Sequence, residues 1–354
     1  MSRQKVCLCI TCVGGTLVPA TLRLLRQSAR FDYRLVGINA TPAPLAEEFL
    51  DGFHVIPRGD DPGYGQALLD VMRRERPEVV LPWSDDEAEV MSRLAGEMRA
   101  LGASAMVSSP ECLARISNKR ITYENLRNEG VAVPEFTPVS DVPGLRDAVA
   151  AYGHPARTVV VKPSRGRGGR GLQILLGRDD PPDWLGSGQR EVRHGNRDLD
   201  DSTYEKFFSF GEELLVMPCL GVPAFDADVI VLGRDPVVLV RRRHNPTGIP
   251  FQGNTVVADP RLLDYCRTVA RVLELEAIHD IDLMTGGDGR PVLLEVNPRP
   301  SGSLAAGLAA GFPLIDWAVE RALGGNPATW GPPFDIDVMS MVVPQAIGRA
   351  QQEA

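Results

Sequence analysis

The sequence predicts an α/β protein that continues into an α+β region, with a parallel α/β domain at its amino end. Three observations predict this. Strand-length apolar runs alternate with helix-period segments over roughly the first 110 residues. Two strand-like runs then flank a loop of glycine and arginine in "VVVKPSRGRGGRGLQIL", residues 159–175. Near the carboxyl end, "IHDIDLMTGGDGRPVLLEVNPRP" reads as strand, "GGDG" turn and strand, a β-hairpin.

The elements follow in order. "KVCLCITCVGGT" is a strand closed by a glycine turn, and "PATLRLLRQSA" a helix. "YRLVGINA" is a second strand, and "GYGQALLDVMRRERP" a helix ended by Pro77. "EVVLPW" is a third strand, and Ser84 with its acids opens the helix "SDDEAEVMSRLAGEMRALG". "SPECLARISNKRITYENLRNEGVAVPEF" makes two helical pieces, stopped at Gly130 and Pro134. Strands flank the glycine loop, and residues 177–212 form a polar excursion with one short helix near "STYEKFFSF". "ELLVMPCL", "FDADVIVLG" and "DPVVLVRRR" are successive strands. "PRLLDYCRTVARVLELEA" is an amphipathic helix, the hairpin follows, and helices near "SLAAGLAAG" and "PLIDWAVERALGG" come last. No internal repeat is visible.

The chain has 354 residues, enough for about two domains. A net charge of −8 argues against a nucleic-acid partner, which needs a basic face. Cys7, Cys9 and Cys12 in "CLCITC" suit alternation in a buried strand better than a metal site, since no second pair at zinc spacing follows. Free thiols fit a reducing cytoplasm. The first twenty residues imitate a secretion signal, but Gly14 and Gly15 break the run and favour strand, loop and helix. No stretch approaches the roughly 18 apolar residues of a membrane span.

The "VGGT" turn lacks G-x-G-x-x-G, and Asn39 stands where an acid would hold a ribose, so a nicotinamide site is disfavoured. Asp85, Asp86 and Glu87 either touch substrate or complement the helix dipole. On the hairpin, Glu295 and Asn297 are two apart and share a sheet face, and the turn folds Asp282 beside them. Three oxygen-bearing side chains on a buried face call for a cation, and magnesium with nucleotide phosphates suits them. A solvated face ending in an Asn-Pro turn is the other reading. The glycine loop offers backbone N–H groups for phosphate oxygens, with Lys162 on the preceding strand and Arg165, Arg167 and Arg170 adding charge. A flexible, solvated hairpin tip is its alternative. The absence of G-x-x-x-x-G-K-[ST] excludes a Walker-type loop.

The order "SNKR", "VVVKP" with its glycine loop, "ELLVMPCLG…FDADV", "DID" and "LLEVNPR" resembles the ATP-grasp superfamily from about Ser108 to Gly325. The resemblance implies an ATP-grasp fold after the first domain: a small lid domain plus a carboxy-terminal mixed-sheet core. The expected divisions are an N-terminal Rossmann-like domain over 1–110, linker helices and lid over 111–217, and the core over 218–354. By position it implies that Lys119 and Lys162 grip the phosphates. The loop from Ser164 to Gly171, with Gly166, Gly168 and Gly169, would form the lid, and Met217, Pro218, Cys219 and Leu220 would bracket adenine. Asp228 would lie near ribose or substrate. Asp282, Glu295 and Asn297 would bind magnesium, with manganese as the alternative ion, and Arg299 would steady an acyl phosphate.

"EVNPRPSGSLAAGLAAGFPLID" looks like the tail of the carbamoyl-phosphate synthetase large subunit, but Gly302 replaces its second arginine, and Asp282 is more like amino-acid ligases. The resemblance therefore implies a stand-alone carboxylate–amine ligase, joining an amino acid or small peptide to an amine with release of ADP and phosphate. Its partners would be those small molecules, in the cytoplasm, with no membrane and no nucleic acid. Similar proteins often form homodimers. One or two of Arg241, Arg242 and Arg243 would reach the site, Arg243 as a catalytic residue, or else the three solvate an edge strand. His244, Gln252 and Asn254 would lie in a loop lining the substrate pocket. Three alternatives remain: a bicarbonate-using carboxyphosphate or carbamoyl enzyme, a non-catalytic nucleotide-binding regulator, and a Rossmann oxidoreductase.

Overall fold

The computed structural model describes residues 3–166, 169–178, 180, 191–195, 199–233, 236–245, 253–327 and 336–338. Its strands form three sheets: one parallel, one mixed and one antiparallel.

The first part runs β1 (Gln4–Ile10), α1 (Val18–Leu25), β2 (Phe31–Asn39), α2 (Pro44–Glu47), β3 (Gly52–Val55), α3 (Tyr64–Glu75), β4 (Val79–Leu81), α4 (Asp85–Ala100) and β5 (Ser104–Ala105). The strands lie parallel in the order β3-β2-β1-β4-β5. Leu8, Cys9 and Ile10 of β1 are consecutive and all buried, as a sheet covered on both faces requires. Cys9 thus belongs to the sheet interior, and all six cysteines are free thiols. The chain steps outward from β1 to β3 and returns on the other side as β4 and β5. The resulting crevice lies at the carboxyl ends of β1 and β4, where α4 begins. The Ser84 hydroxyl caps α4 by accepting from the Glu87 N–H at 3.4 Å. The short edge strands β3 and β5 were not read from the sequence.

The second part runs α5 (Pro110–Ile116), α6 (Lys119–Asn128), β6 (Thr137–Val139), α7 (Val142–Ala151), β7 (Val159–Pro163), β8 (Gln173–Leu175), β9 (Val192–His194), α8 (Asp201–Phe207), a 3-10 turn over Phe208–Phe210, and β10 (Leu214–Pro218). The sheet order is β6-β10-β7-β8-β9, antiparallel except for β8 beside β9. The antiparallel pair β7–β8 carries the glycine loop at one end. α8 falls where the short helix was expected, while α7 and β9 were not anticipated. Asp141 caps α7 by accepting from the Gly144 N–H at 2.8 Å.

The third part runs β11 (Gly221–Val231), β12 (Pro236–Arg243), β13 (Asn254–Val257), α9 (Pro260–Val272), β14 (Ile278–Thr285), β15 (Pro291–Asn297), α10 (Leu304–Ala309), α11 (Leu314–Ala322) and β16 (Ile336–Val338). Its order is β15-β14-β11-β12-β13-β16, and every described pairing is antiparallel. This corrects one detail of the sequence expectation: the mixed sheet is the middle one, whose parallel pair is β8–β9. A second correction concerns Asn254, expected in a loop. It starts β13 and is fully buried, because β12 continues its ladder into that segment. The β14–β15 turn closes through the Gly286 N–H donating to the Arg290 carbonyl at 2.8 Å, with Gly289 at φ 78°.

One apolar cluster joins the first and third parts: Leu22, Leu25, Phe31 and Tyr33 share it with Leu304, Leu314 and Trp317. A second lies under β11, β14 and β15 against α6 and α9. A third lies within the second part, between its sheet and α7 and α8.

Candidate functional site

Antiparallel register assembles the site on one face of the third sheet. Asp282 lies opposite Glu295 and Asp280 opposite Asn297 across β14–β15. Asp226 and Asp228 stand opposite Asp282 and Asp280 across β11–β14. Residues two apart share a face, so the four aspartates point the same way. From β12, Arg241 pairs with Asp228, and Arg243 pairs with both Asp226 and Asp282. Arg242, between them, is exposed on the opposite side. The structure therefore brings Arg241 and Arg243 to this face.

The acids do not ionise alike. Burial pushes Asp226 upward, but the Arg243 guanidinium outweighs it and holds the carboxyl down at about 2. Burial raises Asp280 to about 7, against the pull of Arg299. Burial and the neighbouring Asp280 push Asp282 well above the usual carboxylate range. The Asn297 amide donates to Asp280 Oδ2 at 3.2 Å and Asp282 Oδ2 at 3.3 Å. Turned over, it would present its oxygen to the same space. Asp226, Asp280 and Asp282 also bring carboxylate oxygens within 4.8 Å of one another. Oδ1 of Asp280 is buried without a hydrogen-bond partner.

From the middle part, Lys119 contacts Glu295 and Lys162 stands near enough for its charge to act on it. Lys119, at the start of α6, places Nζ 3.2 Å from Glu295 Oε2 and donates to the Gly166 carbonyl at 2.7 Å. Lys162 on β7 donates to the Tyr123 hydroxyl at 3.0 Å and the Leu294 carbonyl at 3.4 Å. Burial drives the Lys162 ammonium down to about 8, although Glu295 and Asp282 favour its charge. Burial pushes Glu295 up, but Lys119 and Lys162 hold it below the usual range. Ser164 is buried and its carbonyl accepts from the Lys119 N–H at 2.8 Å. Gly166, Gly169 and Gly171 have φ of 138°, 74° and 77°, which only glycine adopts freely. Arg167, Gly168 and Gln252 lie outside the described residues.

Met217 is buried, Pro218 and Cys219 are half-buried and Leu220 is buried, at the crossing from β10 to β11. Leu220 belongs to an apolar cluster with Ile174, Met284 and Val292, flanked by Leu172, Cys219 and Leu294. That patch joins the middle and third sheets beside the lysines. Its members carry no signal beyond hydrophobicity. Asp228, expected near ribose or substrate, is fully buried. Arg241 and the Ser301 N–H occupy its carboxylate, leaving no free surface for a ribose.

Arg299 spans two parts of the molecule. Its Nη1 donates to Asp280 Oδ2 at 2.8 Å, and its Nε lies 3.0 Å from Asp85 Oδ1. Of the three acids opening α4, Asp85 reaches this site, while Glu87 accepts from the Thr11 hydroxyl at 2.6 Å. The buried His279 approaches the Asn297 carbonyl at 3.1 Å and the Ser108 hydroxyl at 2.7 Å, and burial lowers it to about 4. His244 contacts the Thr255 hydroxyl at 2.9 Å. A cavity lies between α4, α5 and β15, with Asp85, Glu89, Ser117, Lys119, Glu295 and Asn297 among its walls. Sequence reasoning missed Asp226 and Asp280, because only cross-strand register reveals them, while it left Asp85 between substrate contact and helix-dipole pairing.

Residues 210–342 match the family described as ATP-grasp in the biosynthetic pathway with Ter operon. The carbamoyl phosphate synthase large chain of Rubrobacter xylanophilus is 25% identical over 319 residues, covering 85% of this chain and 27% of that protein. The chain thus spans about a quarter of the length of the curated relatives it matches. Among solved structures, an N5-carboxyaminoimidazole ribonucleotide synthetase in complex with ADP superposes with a TM-score of 0.66 and 16% identity, over 95% of this chain and 81% of that one. An L-amino acid ligase from Bacillus licheniformis gives 0.61 and 14%, over 91% and 75%. No described helix is long and apolar enough to cross a membrane. The chain resembles the ATP-grasp enzymes in sequence over its third part and has the ATP-grasp fold.

Proposed function

We propose that this protein is an ATP-dependent carbon–nitrogen ligase that activates a carboxylate as an acyl phosphate and joins it to an amine, releasing ADP and phosphate. One observation carries the reading: Lys119 bridges Glu295 and the Gly166 carbonyl of the glycine loop, and the Lys162 charge acts on the same carboxylate, beside Asp282 and Asn297. Two ammonium groups at a carboxylate-rich wall suit a polyphosphate bound together with a divalent ion.

Asp282, Glu295 and Asn297 are the residues that would hold magnesium, or manganese. Their oxygen donors are the hard ligands such an ion takes, and burial and Asp280 oppose ionisation of the Asp282 carboxyl, which a bound cation would favour. When bound, the ion supplies Lewis-acid neutralisation of the phosphate oxygens. Lys162 and Lys119 would hold the phosphate chain, and the loop from Ser164 to Gly171 would close over it with backbone N–H groups. The patch around Leu220, Met284 and Leu294, bordered by Met217, Pro218 and Cys219, suits a flat apolar base. Arg299 would take the acyl phosphate and Arg243 the substrate carboxylate. Each would have to leave an aspartate to take an anionic oxygen. No covalent protein nucleophile is required, and the task is positioning and charge neutralisation.

The similarity to an L-amino acid ligase supports an amino acid or small peptide as the carboxylate. The free thiols support a reducing cytoplasm. The test is purified protein with ATP, magnesium and a panel of amino-acid pairs, read by phosphate release and product mass. Amide formation is expected for at least one pair, and Glu295→Gln should lower its rate by about 100-fold or more. Phosphate release that requires bicarbonate and yields no amide would replace this reading with a carboxyphosphate one.

A further inference from the structure

β15 carries one residue more than its partner strand beside the site. Asp282 faces Glu295 and Leu283 faces Leu293, so Leu294 has no opposite number on β14. Such a bulge leaves a backbone group outside the ladder, free to point elsewhere. The Leu294 carbonyl accepts from the Tyr123 hydroxyl of α6 at 2.6 Å. Tyr123 follows Lys119 by four residues, so the two share a face of that helix. The face holds two successive residues of β15: Lys119 contacts Glu295, and Tyr123 contacts Leu294.

The proton count at Tyr123 gives its hydroxyl a direction. A phenol has one hydrogen to donate, and the carbonyl, which only accepts, takes it. Toward Lys162 the same oxygen acts as acceptor, and Nζ lies 3.0 Å away. The Leu294 carbonyl, with its second lone pair, lies 3.4 Å from Nζ. Lys162 is 8% exposed, and a buried ammonium is costly without acceptors. Two of its three N–H bonds thus have protein acceptors, and among the described residues no acceptor takes the third. Packing holds the ring: Tyr123 is fully buried and lies against Phe136 with centroids 5.3 Å apart. Phenylalanine would serve that packing equally well, so the hydroxyl has a separate use.

We propose that Tyr123 is a positioning residue for nucleotide binding: its hydroxyl, fixed on the Leu294 bulge, holds Lys162 with one N–H bond directed at a phosphate oxygen. This deepens the ligase reading and rests on it only for the nucleotide that Lys162 meets. Tyr123 touches no ligand itself and acts through the lysine.

The experiment is a double-mutant cycle of Tyr123→Phe and Lys162→Met in the full chain, read as ADP affinity by calorimetry with magnesium, with thermal unfolding to check that each variant is folded. Tyr123→Phe should weaken ADP binding about fivefold or more. In the Lys162→Met background the same change should cost less than about twofold, because the group through which it acts is gone. Equal weakening in both backgrounds would reveal a role in packing alone and overturn the proposal, as would no weakening in either. If Tyr123→Phe does not fold, the chain carrying fluorotyrosine at its six tyrosines decides. One fluorine resonance should move both in Lys162→Met and on adding ADP to the unmodified lysine; no resonance common to the two would overturn the proposal. A chain that binds no ADP would end the nucleotide reading and this role together. ADP binding with equal losses would end this role and leave that reading standing.

Discussion

At Lys162, burial and neighbouring charge act on one ammonium in opposite directions, and burial prevails. Its folded value of about 8 lies below the roughly 10.4 of an unfolded lysine. Between those values the unfolded chain binds more protons, so this group's contribution to stability rises with pH across the window, and its cost is fully present below about pH 8. A phosphate placed against Nζ restores the charge. Binding of ADP at about pH 8.5 should therefore take up protons, read by calorimetry in buffers of differing ionisation enthalpy. Lys162→Met should abolish that uptake and weaken ADP binding by about 10- to 100-fold. Single residues were legible in the sequence where their neighbours along the chain gave them context. Glu295 and Asn297 announced a shared face through their spacing, and Lys162 stood at a strand end before a glycine run. Asp226 and Asp280 gave no such sign, and Asp85 read equally as a helix-opening acid. Their importance comes from partners 17 or more positions away, Arg243, Asn297 and Arg299.

The glycine loop is set by its anchors as well as by its freedom. A methyl group on Gly171 would fall 2.7 Å from Phe210 Cβ and 2.8 Å from Pro163 Cγ, at a φ of 77° that side chains resist. Gly171→Ala should destabilise the protein by about 1–3 kcal/mol and weaken nucleotide binding, measured by denaturant titration and ADP calorimetry. The long elements were legible because their periods persist. β1, β2 and β4 ran apolar, and α9 kept its stripe over thirteen residues. β3, β5 and β9, at two to four residues, are too short to show a period. α7 hides between Pro143, which opens it, and the glycine turn at Gly153. β13 starts at Asn254, where the sequence predicts a loop; its strand character comes from pairing with β12.

Across the whole molecule, the first and third parts are fused. Their shared apolar cluster is accompanied by Asp316 on α11, which accepts from the Ser28 and Tyr33 hydroxyls at 2.8 Å each. Asp316→Ala would leave the buried Tyr33 hydroxyl without an acceptor. We expect a loss of about 1–3 kcal/mol, and thermal unfolding should still show the first and third parts melting together. A separate early transition of the amino-terminal sheet would contradict that coupling. The parallel sheet and the hairpin were visible in the sequence as separate units. Their union was not, since it depends on which surfaces the two leave apolar.

Lys119 already holds both Gly166 and Glu295 before any phosphate competes for it. Nucleotide entry is then an exchange of partners, and exchange takes time. The association rate constant should fall well short of the diffusional ceiling, and shortening this side chain should quicken arrival even as it hastens departure.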